Sequence, residues 1–349
     1  MISPLVSIII PCFNRQDFIG ITIESVVKQS YENWELFIID DGSTDNSKQI
    51  IENFCKEDSR IHCIDRNRLP KGAPTCRNIG LETCTGSFII FLDSDDFLAS
   101  FCLQNRVEYM NNNSKLDFAI FDGLIFIDEP YDSNVLISNY KDKEVILQFL
   151  KFDIPWITLQ AFWRRSFLLN KNIKWDPVLK AYQDVDFHLK AVISDNKYSF
   201  ADCKPDCFWR QHIGDSIGKD IFKKNLIESH IHLYWSVSQL LSQNKMQNKK
   251  ANLYWSRFII GQLVKQVFLK NFDQCNQILK LVKRTNQLTR LQFFLLEMLV
   301  NINSFSYKNN VPFIRGFILN MYKYILLKNF FTLNTTLYFK KHRYLNEIS

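Results

Sequence analysis

VSIIIPCFN, residues 6–14, sets the reading of this 349-residue chain. Val6, Ile8, Ile9 and Ile10 form a β-branched run that Pro11 ends. Such a run reads as a strand buried on both faces, as in a parallel sheet. Working outward, Phe18, Ile19, Thr22, Ile23, Val26 and Val27 recur at helical spacing. WELFIID (34–40) is a second buried strand, followed by the turn DDGSTDNS and by Ile50, Ile51, Phe54 and Cys55 on one helix face. IHCID (61–65) is a third strand, KGAPTCRNIGLETC (71–84) a loop entering a helix, and SFIIFLD (87–93) a fourth strand. Four strand–helix alternations with short connections predict an α/β domain on a mostly parallel sheet flanked by helices. Ligands of such sheets lie beyond the carboxyl ends of the strands. Polar residues gather there: Pro11 to Asn14, Asp40 and Asp41, and Asp93 to Asp96.

From about residue 117 the pattern changes. DFAIFDGLIFID suggests one or two strands, with a hairpin about Asp122-Gly123. Residues 144–152 and Asp184 to Ser194 read as helices, and YSFADC (198–203) and FWRQH (208–212) as strands. Trp156, Trp163 and Trp175 fit a core better than a stacking platform for an acceptor. Beyond about 220 the signal is mainly helical, so a boundary falls there: an α/β domain over 1–220 and a basic, mainly helical region over 221–349. Residues 241–349 carry 17 Lys and Arg against Asp273, Glu297 and Glu347, which is +14; residues 1–240 carry 26 against 33, which is −7. Within the basic part, VPFIRGFILNMYKYILLKNFF (311–331) mixes apolar residues with Arg315, Lys323 and Lys328, a composition suited to an anionic membrane surface. No stretch is apolar for long enough to span a bilayer and no signal peptide is visible. The nine Cys lack paired or metal-type spacing, which suits free thiols in a reducing cytoplasm. No nucleic-acid-binding module is recognisable, so nucleic acid is not expected as a partner.

Five constellations carry chemistry. Asp93-Ser94-Asp95-Asp96 either holds a divalent cation through carboxylate oxygens, or has Ser94, Asp95 or Asp96 capping a helix that runs through Phe101 and Val107. Asp40-Asp41 closes a buried strand, either as a capped turn or as acceptors for base and ribose. Arg77-Asn78-Ile79-Gly80 offers a cation for phosphate and a glycine for close helix packing. Gln183-Asp184 opens a helix, with Asp184 as cap or as general base. Arg210, His212 and Ser216 follow a strand.

The succession VSIIIPCFNR, WELFIIDDGSTDNS, RNIGL, GSFIIFLDSDD closely resembles the inverting family 2 glycosyltransferases, strongly over residues 5–98 and fairly to about 217. The resemblance implies a GT-A type fold that binds a nucleotide sugar, with a mainly helical C-terminal extension. It implies that Pro11, Phe13 and Asn14 line the nucleotide pocket and that Asp40 and Asp41 touch the base, usually uracil. Arg77 would lie beside the nucleotide. Asp93-Ser94-Asp95 would be the DxD motif, with Asp93 and Ser94 at the nucleotide and Asp95 on the metal, Mn²⁺ or Mg²⁺. The pair Gln183-Asp184 stands where relatives have Glu-Asp, which spares the expected base Asp184. Asp96, Gln183, Arg210 and Ser216 are implied near diphosphate or acceptor, and His212 as a further metal ligand. The implied function is transfer of a sugar, with inversion, from a nucleotide donor, usually UDP-linked, to a hydroxyl of a glycan or lipid-linked glycan, in bacterial surface polysaccharide synthesis. The place would be the cytoplasm, peripherally at the inner face of the plasma membrane. The alternatives are a nucleotidyltransferase, for which PCFNRQDF lacks a Gly-rich phosphate loop, and a degenerate nucleotide- or glycan-binding module, against which the intact acids argue.

Overall fold

The computed structural model describes residues 3–138, 144–211, 226–285 and 287–309. The chain divides into two compact units. Of the described residues, one comprises 3–138 and 154–211; the other comprises 144–153, 226–285 and 287–309.

The first unit is built on a seven-stranded sheet. Strand β1 (Val6–Cys12) lies between β2 (Trp34–Asp40) and β4 (Phe88–Phe91), and β3 (Ile61–Asp65) pairs with the outer edge of β2, all parallel. Helices α1 (Ile19–Val27), α2 (Ser47–Glu57) and α3 (Ala73–Thr83) connect them. The sheet then turns mixed. β8 (Ala161–Arg164) runs antiparallel to β4 and to β6 (Phe118–Ile120), and β9 (Tyr198–Phe200) closes the order β3-β2-β1-β4-β8-β6-β9. Every residue of β1 and β4 is buried, which is why their sequences run apolar without alternation.

The order 3-2-1-4 means that the chain steps outward from β1 and then returns to its other side. The crevice at such a reversal is where open α/β sheets hold ligands. The loop after β1 and the loop after β4 flank it.

A second, three-stranded sheet has the order β5-β10-β7, from β5 (Phe97–Leu98), β10 (Cys207–Arg210) and β7 (Gly123–Phe126). The expected hairpin about Asp122-Gly123 is therefore not formed: β6 and β7 belong to different sheets. Gly123 instead pairs with Cys207, and a Cβ there would stand 2.9 Å from the Cys207 carbonyl oxygen. Helix capping by Ser94, Asp95 or Asp96 is also not observed. β5 intervenes, and α4 (Cys102–Asn112) starts after Phe101.

The fold needs α3 close to the sheet. A Cβ on Gly80 would lie 2.4 Å from Ile9 Cγ2 and 3.1 Å from Ile39 Cδ1, so glycine alone seats the helix on β1 and β2. Beside α3, α6 (Arg165–Asn170) and α7 (Gln183–Ile193) carry the apolar residues that meet Trp163 and Trp175: Phe167 lies by Trp163, Phe187 by Trp175, and Asn78 of α3 bonds to the Trp175 backbone. Trp156, Trp163 and Trp175 are all fully buried, and Trp175 stacks on Phe187 at 4.1 Å, so these rings are core.

The second unit contains α5 (Val145–Lys151), α8 (Ile227–Gln243), α9 (Lys249–Phe268), α10 (Phe272–Thr285) and α11 (Arg290–Lys308). Trp255 and Tyr234 form its centre, with parallel rings 5.8 Å apart. Asn248 and Thr289 cap α9 and α11, accepting from the first-turn amides. Among the described residues no helix is long and apolar enough to cross a membrane.

Candidate active site

Three strand ends and one helix start converge at the crevice. After β1, Asn14 sits in the left-handed region at φ 50°, and its Oδ1 accepts from the Thr44 amide at 2.8 Å. The Asn14 amide in turn donates to Ser43 Oγ at 3.0 Å. These two bonds tie the loop after β1 to the loop after β2. Phe13, 39% exposed, faces outward with the Lys71 ammonium 3.3 Å from its ring centre.

After β2, the two acids diverge. Asp40 is buried and its Oδ2 accepts from the amides of Gly42 and Ser43, both at 3.0 Å, which folds the turn. Asp41 is buried against the guanidinium of Arg66, which follows β3. Beside it the Cys76 thiol is pushed up to about 12 by burial and by the Asp41 charge, so it stays protonated at neutral pH.

After β4, the Asp93–Asp96 segment forms a turn in which the Asp96 amide donates to the Asp93 carbonyl at 3.1 Å. Asp93 is the exposed acid, with 39% of its side chain open to solvent, and it pairs with Arg77 on α3. Arg77 also donates to Gln183 Oε1 at 3.2 Å and lies 4.4 Å above the Trp175 ring. Through it the β4 end and the start of α7 meet. Asp95 faces Arg15 at 3.6 Å. Ser94 is buried. Asp96 turns inward: it is 2% exposed, its Oδ1 accepts from the Arg210 amide at 3.0 Å, and burial with the Asp95 and Asp93 charges raises its carboxyl well above the ordinary value of 3.8.

Asp184 lies inside the first turn of α7, one residue after Gln183, so it does not cap the helix. Tyr182, in the left-handed region at φ 57°, occupies the cap position. Burial raises the Asp184 carboxyl above 3.8; Arg77 pulls it down and Asp93 pushes it up, which places all three groups in one electrostatic neighbourhood.

Arg210, expected near diphosphate or acceptor, is 8% exposed and clamps the acidic turn. Its Nε donates to the Asp95 carbonyl at 3.0 Å, and Nη1 donates to the carbonyls of Ile127 and Asp128, both at 3.1 Å. His212 and Ser216 lie outside the described residues. Sequence reasoning missed Arg15, Arg66 and Lys71. The sequence around them carries no signal of this: which cation meets which acid or ring is decided by the fold.

Asp93 and Asp95 are the carboxylates available to a cation, and no group of three His, Cys, Asp or Glu able to hold one is found among the described residues. That does not suit a closed zinc site, which takes four protein ligands. It does suit Mg²⁺ or Mn²⁺, which are held by one or two carboxylates and complete their shell with water and phosphate.

The same strands and loops match a family model. Residues 7–168 fit "Glycosyl transferase family 2". That match takes in a little under half of the chain, from β1 through β8 into α6.

A Haemophilus influenzae glycosyltransferase is 43% identical over 113 residues, 32% of this chain and 45% of that one. The Escherichia coli protein WfaP, named as a UDP-Glc:alpha-D-GlcNAc-diphosphoundecaprenol beta-1,3-glucosyltransferase, is 44% identical over 106 residues, 30% of this chain and 41% of that one. The chain thus spans rather less than half the length of these relatives. Among solved structures, S. aureus TarS 1-349 in complex with UDP-GlcNAc superposes with a TM-score of 0.65 over 87% of this chain and 92% of that one, at 17% identity. That likeness shows the fold alone, which is GT-A-like: a mostly parallel sheet flanked by helices, with helices toward the C-terminus.

Proposed function

We propose that this chain is a glycosyltransferase that moves a sugar from a nucleotide donor, a UDP-sugar first, to a hydroxyl of a glycan or lipid-linked glycan during synthesis of a bacterial surface polysaccharide, with inversion at the anomeric carbon. The observation that carries the reading is the Arg77 bridge: it joins Asp93 at the end of β4 to Gln183, the neighbour of Asp184, at the start of α7. One acid is thereby offered to the donor and another to the acceptor at a single crevice.

In this reading the donor base lies by Phe13, Asn14 and Asp41, and the diphosphate lies between the loops after β1 and β4. Asp95, with Asp93, would hold Mn²⁺ or Mg²⁺, which supplies positive charge to the departing diphosphate. Asp184 accepts the proton of the acceptor hydroxyl as its oxygen bonds to the anomeric carbon. The bond from that carbon to the diphosphate oxygen breaks, and the nucleoside diphosphate leaves with the electron pair. Arg77 and Arg15 keep positive charge beside it. A single displacement needs no covalent intermediate, and the crevice requires only that donor and acceptor be held in line. The UDP-linked donors named for WfaP and TarS support a UDP-sugar as the first to try.

The basic C-terminal region is read as a contact for an anionic membrane surface at the inner face of the plasma membrane. Its net charge of +14 over residues 241–349 supports this, as does the lipid-linked acceptor in WfaP's name.

The test is a thermal-shift panel of UDP-glucose, UDP-GlcNAc and UDP with Mn²⁺, followed by turnover of the stabilising donor by the wild type and Asp184→Asn. Turnover should drop by about 100- to 10,000-fold with UDP affinity retained. Wild-type turnover in the variant would refute Asp184 as base. Because burial raises the Asp184 carboxyl, wild-type activity should fade as pH is lowered through that raised value, from the basic side.

A further inference from the structure

Among the described residues, one face of helix α11 is uncovered. Leu291, Phe294 and Phe305 are 68%, 58% and 57% exposed, while Tyr307, 44% exposed near the helix end, lies off this face beside Lys270. At ~100° per residue, these three fall in a stripe about 60° wide, with half-buried Met298 between them. Arg290 and Lys308, both exposed, line one flank of the stripe. Leu296, Leu299 and Val300 point the opposite way, into the helical unit.

The surroundings carry the same sign. Residues 226–309 hold eleven Lys and Arg against Glu228, Asp273 and Glu297, a net +8. Lys283 and Arg284 end α10, exposed, next to the start of α11, and Lys270 lies 4.8 Å from the ring of Tyr307 at its other end. The one acid on α11, Glu297, is half-buried on the basic flank. Contiguous exposed apolar surface rimmed by polar groups marks an interaction site.

We propose that this face of α11 is the membrane-docking surface: the helix lies flat, with Leu291, Phe294 and Phe305 entering the acyl boundary of an anionic bilayer and Arg290 and Lys308 reaching the phosphates. This rests on the membrane reading given above and places it on named residues. Charge selects lipid over a second copy of the chain. Two-fold pairing of this face upon itself in antiparallel fashion brings Arg290 against Lys308 of the other copy, cation on cation. An anionic bilayer meets both with opposite charge. A 19-residue helix with an apolar face, basic flank and no spanning capacity is the kind that binds in the interface plane.

The experiment is flotation of the full chain with vesicles of phosphatidylcholine alone or with phosphatidylglycerol. The wild type should float only with the anionic vesicles. Phe294→Glu/Phe305→Glu should abolish flotation, and Arg290→Gln/Lys308→Gln should weaken binding about fivefold per cation. Val178→Glu, at an exposed apolar site of the other unit, should float as the wild type does. Circular dichroism and the UDP thermal shift confirm that each variant is folded, since all the altered side chains are exposed. Undiminished flotation of the Phe double variant overturns the α11 face while leaving the membrane reading intact. No flotation of the wild type overturns both. A wild-type dimer that the Phe variant converts to monomer, without flotation of either, assigns the face to self-association and overturns the lipid docking.

Discussion

Two kinds of arginine–aspartate pairing in the α/β unit show opposite designs. Arg106 and Asp206 are sealed, with side chains 0% and 1% exposed, and meet in a fork: Nε to Oδ2 at 2.9 Å and Nη2 to Oδ1 at 2.6 Å, with Nη1 on the Leu159 carbonyl at 2.9 Å. The pairs at the crevice are half-open. Arg77 is 7% exposed against 39% for Asp93, and Arg15 is 33% against 17% for Asp95. A sealed pair cannot change partners without stranding a charge. A half-open pair can, because water or a ligand takes up whichever charge is released. The first kind fixes the position of the loop before β10; the second leaves carboxylates that a cation can claim.

The sharpest break of this contrast is Arg106→Ala. It should cost about 3–5 kcal/mol in the urea-unfolding transition of the α/β unit, because Asp206 is left buried and unpaired. Arg106→Met with Asp206→Leu should recover most of that loss, and a double variant as unstable as the single one would show that the pair is not what holds the loop. Arg77→Ala should cost less stability, since the Asp93 carboxylate can rehydrate, but should weaken UDP binding about 10- to 100-fold by calorimetry.

Asp96→Asn sharpens the comparison by pH. The unfolded chain ionises this carboxyl near 3.8, while burial and the neighbouring acids raise it in the folded state. Folding is therefore disfavoured by this group as pH climbs from 3.8 through the raised value. The neutral Asn should be more stable than the wild type at pH 7, on the order of 1 kcal/mol, with the advantage vanishing below the ordinary value; urea midpoints across pH report it. The smallest effect belongs to Arg15→Gln, which removes a pair open to solvent and should shift stability by less than about 1 kcal/mol.

The sheet and its crevice were legible because both depend on short-range pattern. β1, β2 and β4 are buried on both faces, so each announces itself as a continuous apolar run with polar residues at its end. The second sheet was not legible: β5 has two residues, too few for any periodicity, and β7 is joined to β10 through a pairing 84 residues away in sequence. The Asp122-Gly123 dipeptide carries a genuine turn signal, yet Gly123 serves close backbone approach to Cys207. Asp93, Asp95 and Asp184 could be singled out as acids at element ends, and Arg77 as a cation near them, but not Arg15 or Arg66. Arg15 and Arg66 reach their partners only after β1, β2 and β3 lie side by side. Arg210 shows the converse: its place in a polar segment suggested a ligand contact, while its burial under the acidic turn binds that turn to β10.

Gly80 acts as a gauge block in this fold. The missing methyl sets the height of α3 above β1, and Arg77, three residues earlier on the same helix, inherits that height. An alanine at 80 would wedge the helix away from Ile9, which is β-branched and fully buried and so has nowhere to move. The guanidinium would then be carried off its perch between Asp93 and Gln183. A residue with no side chain thus calibrates the charge spacing of the crevice, and a substitution made deep in the hydrophobic interior would surface as a defect in handling the donor.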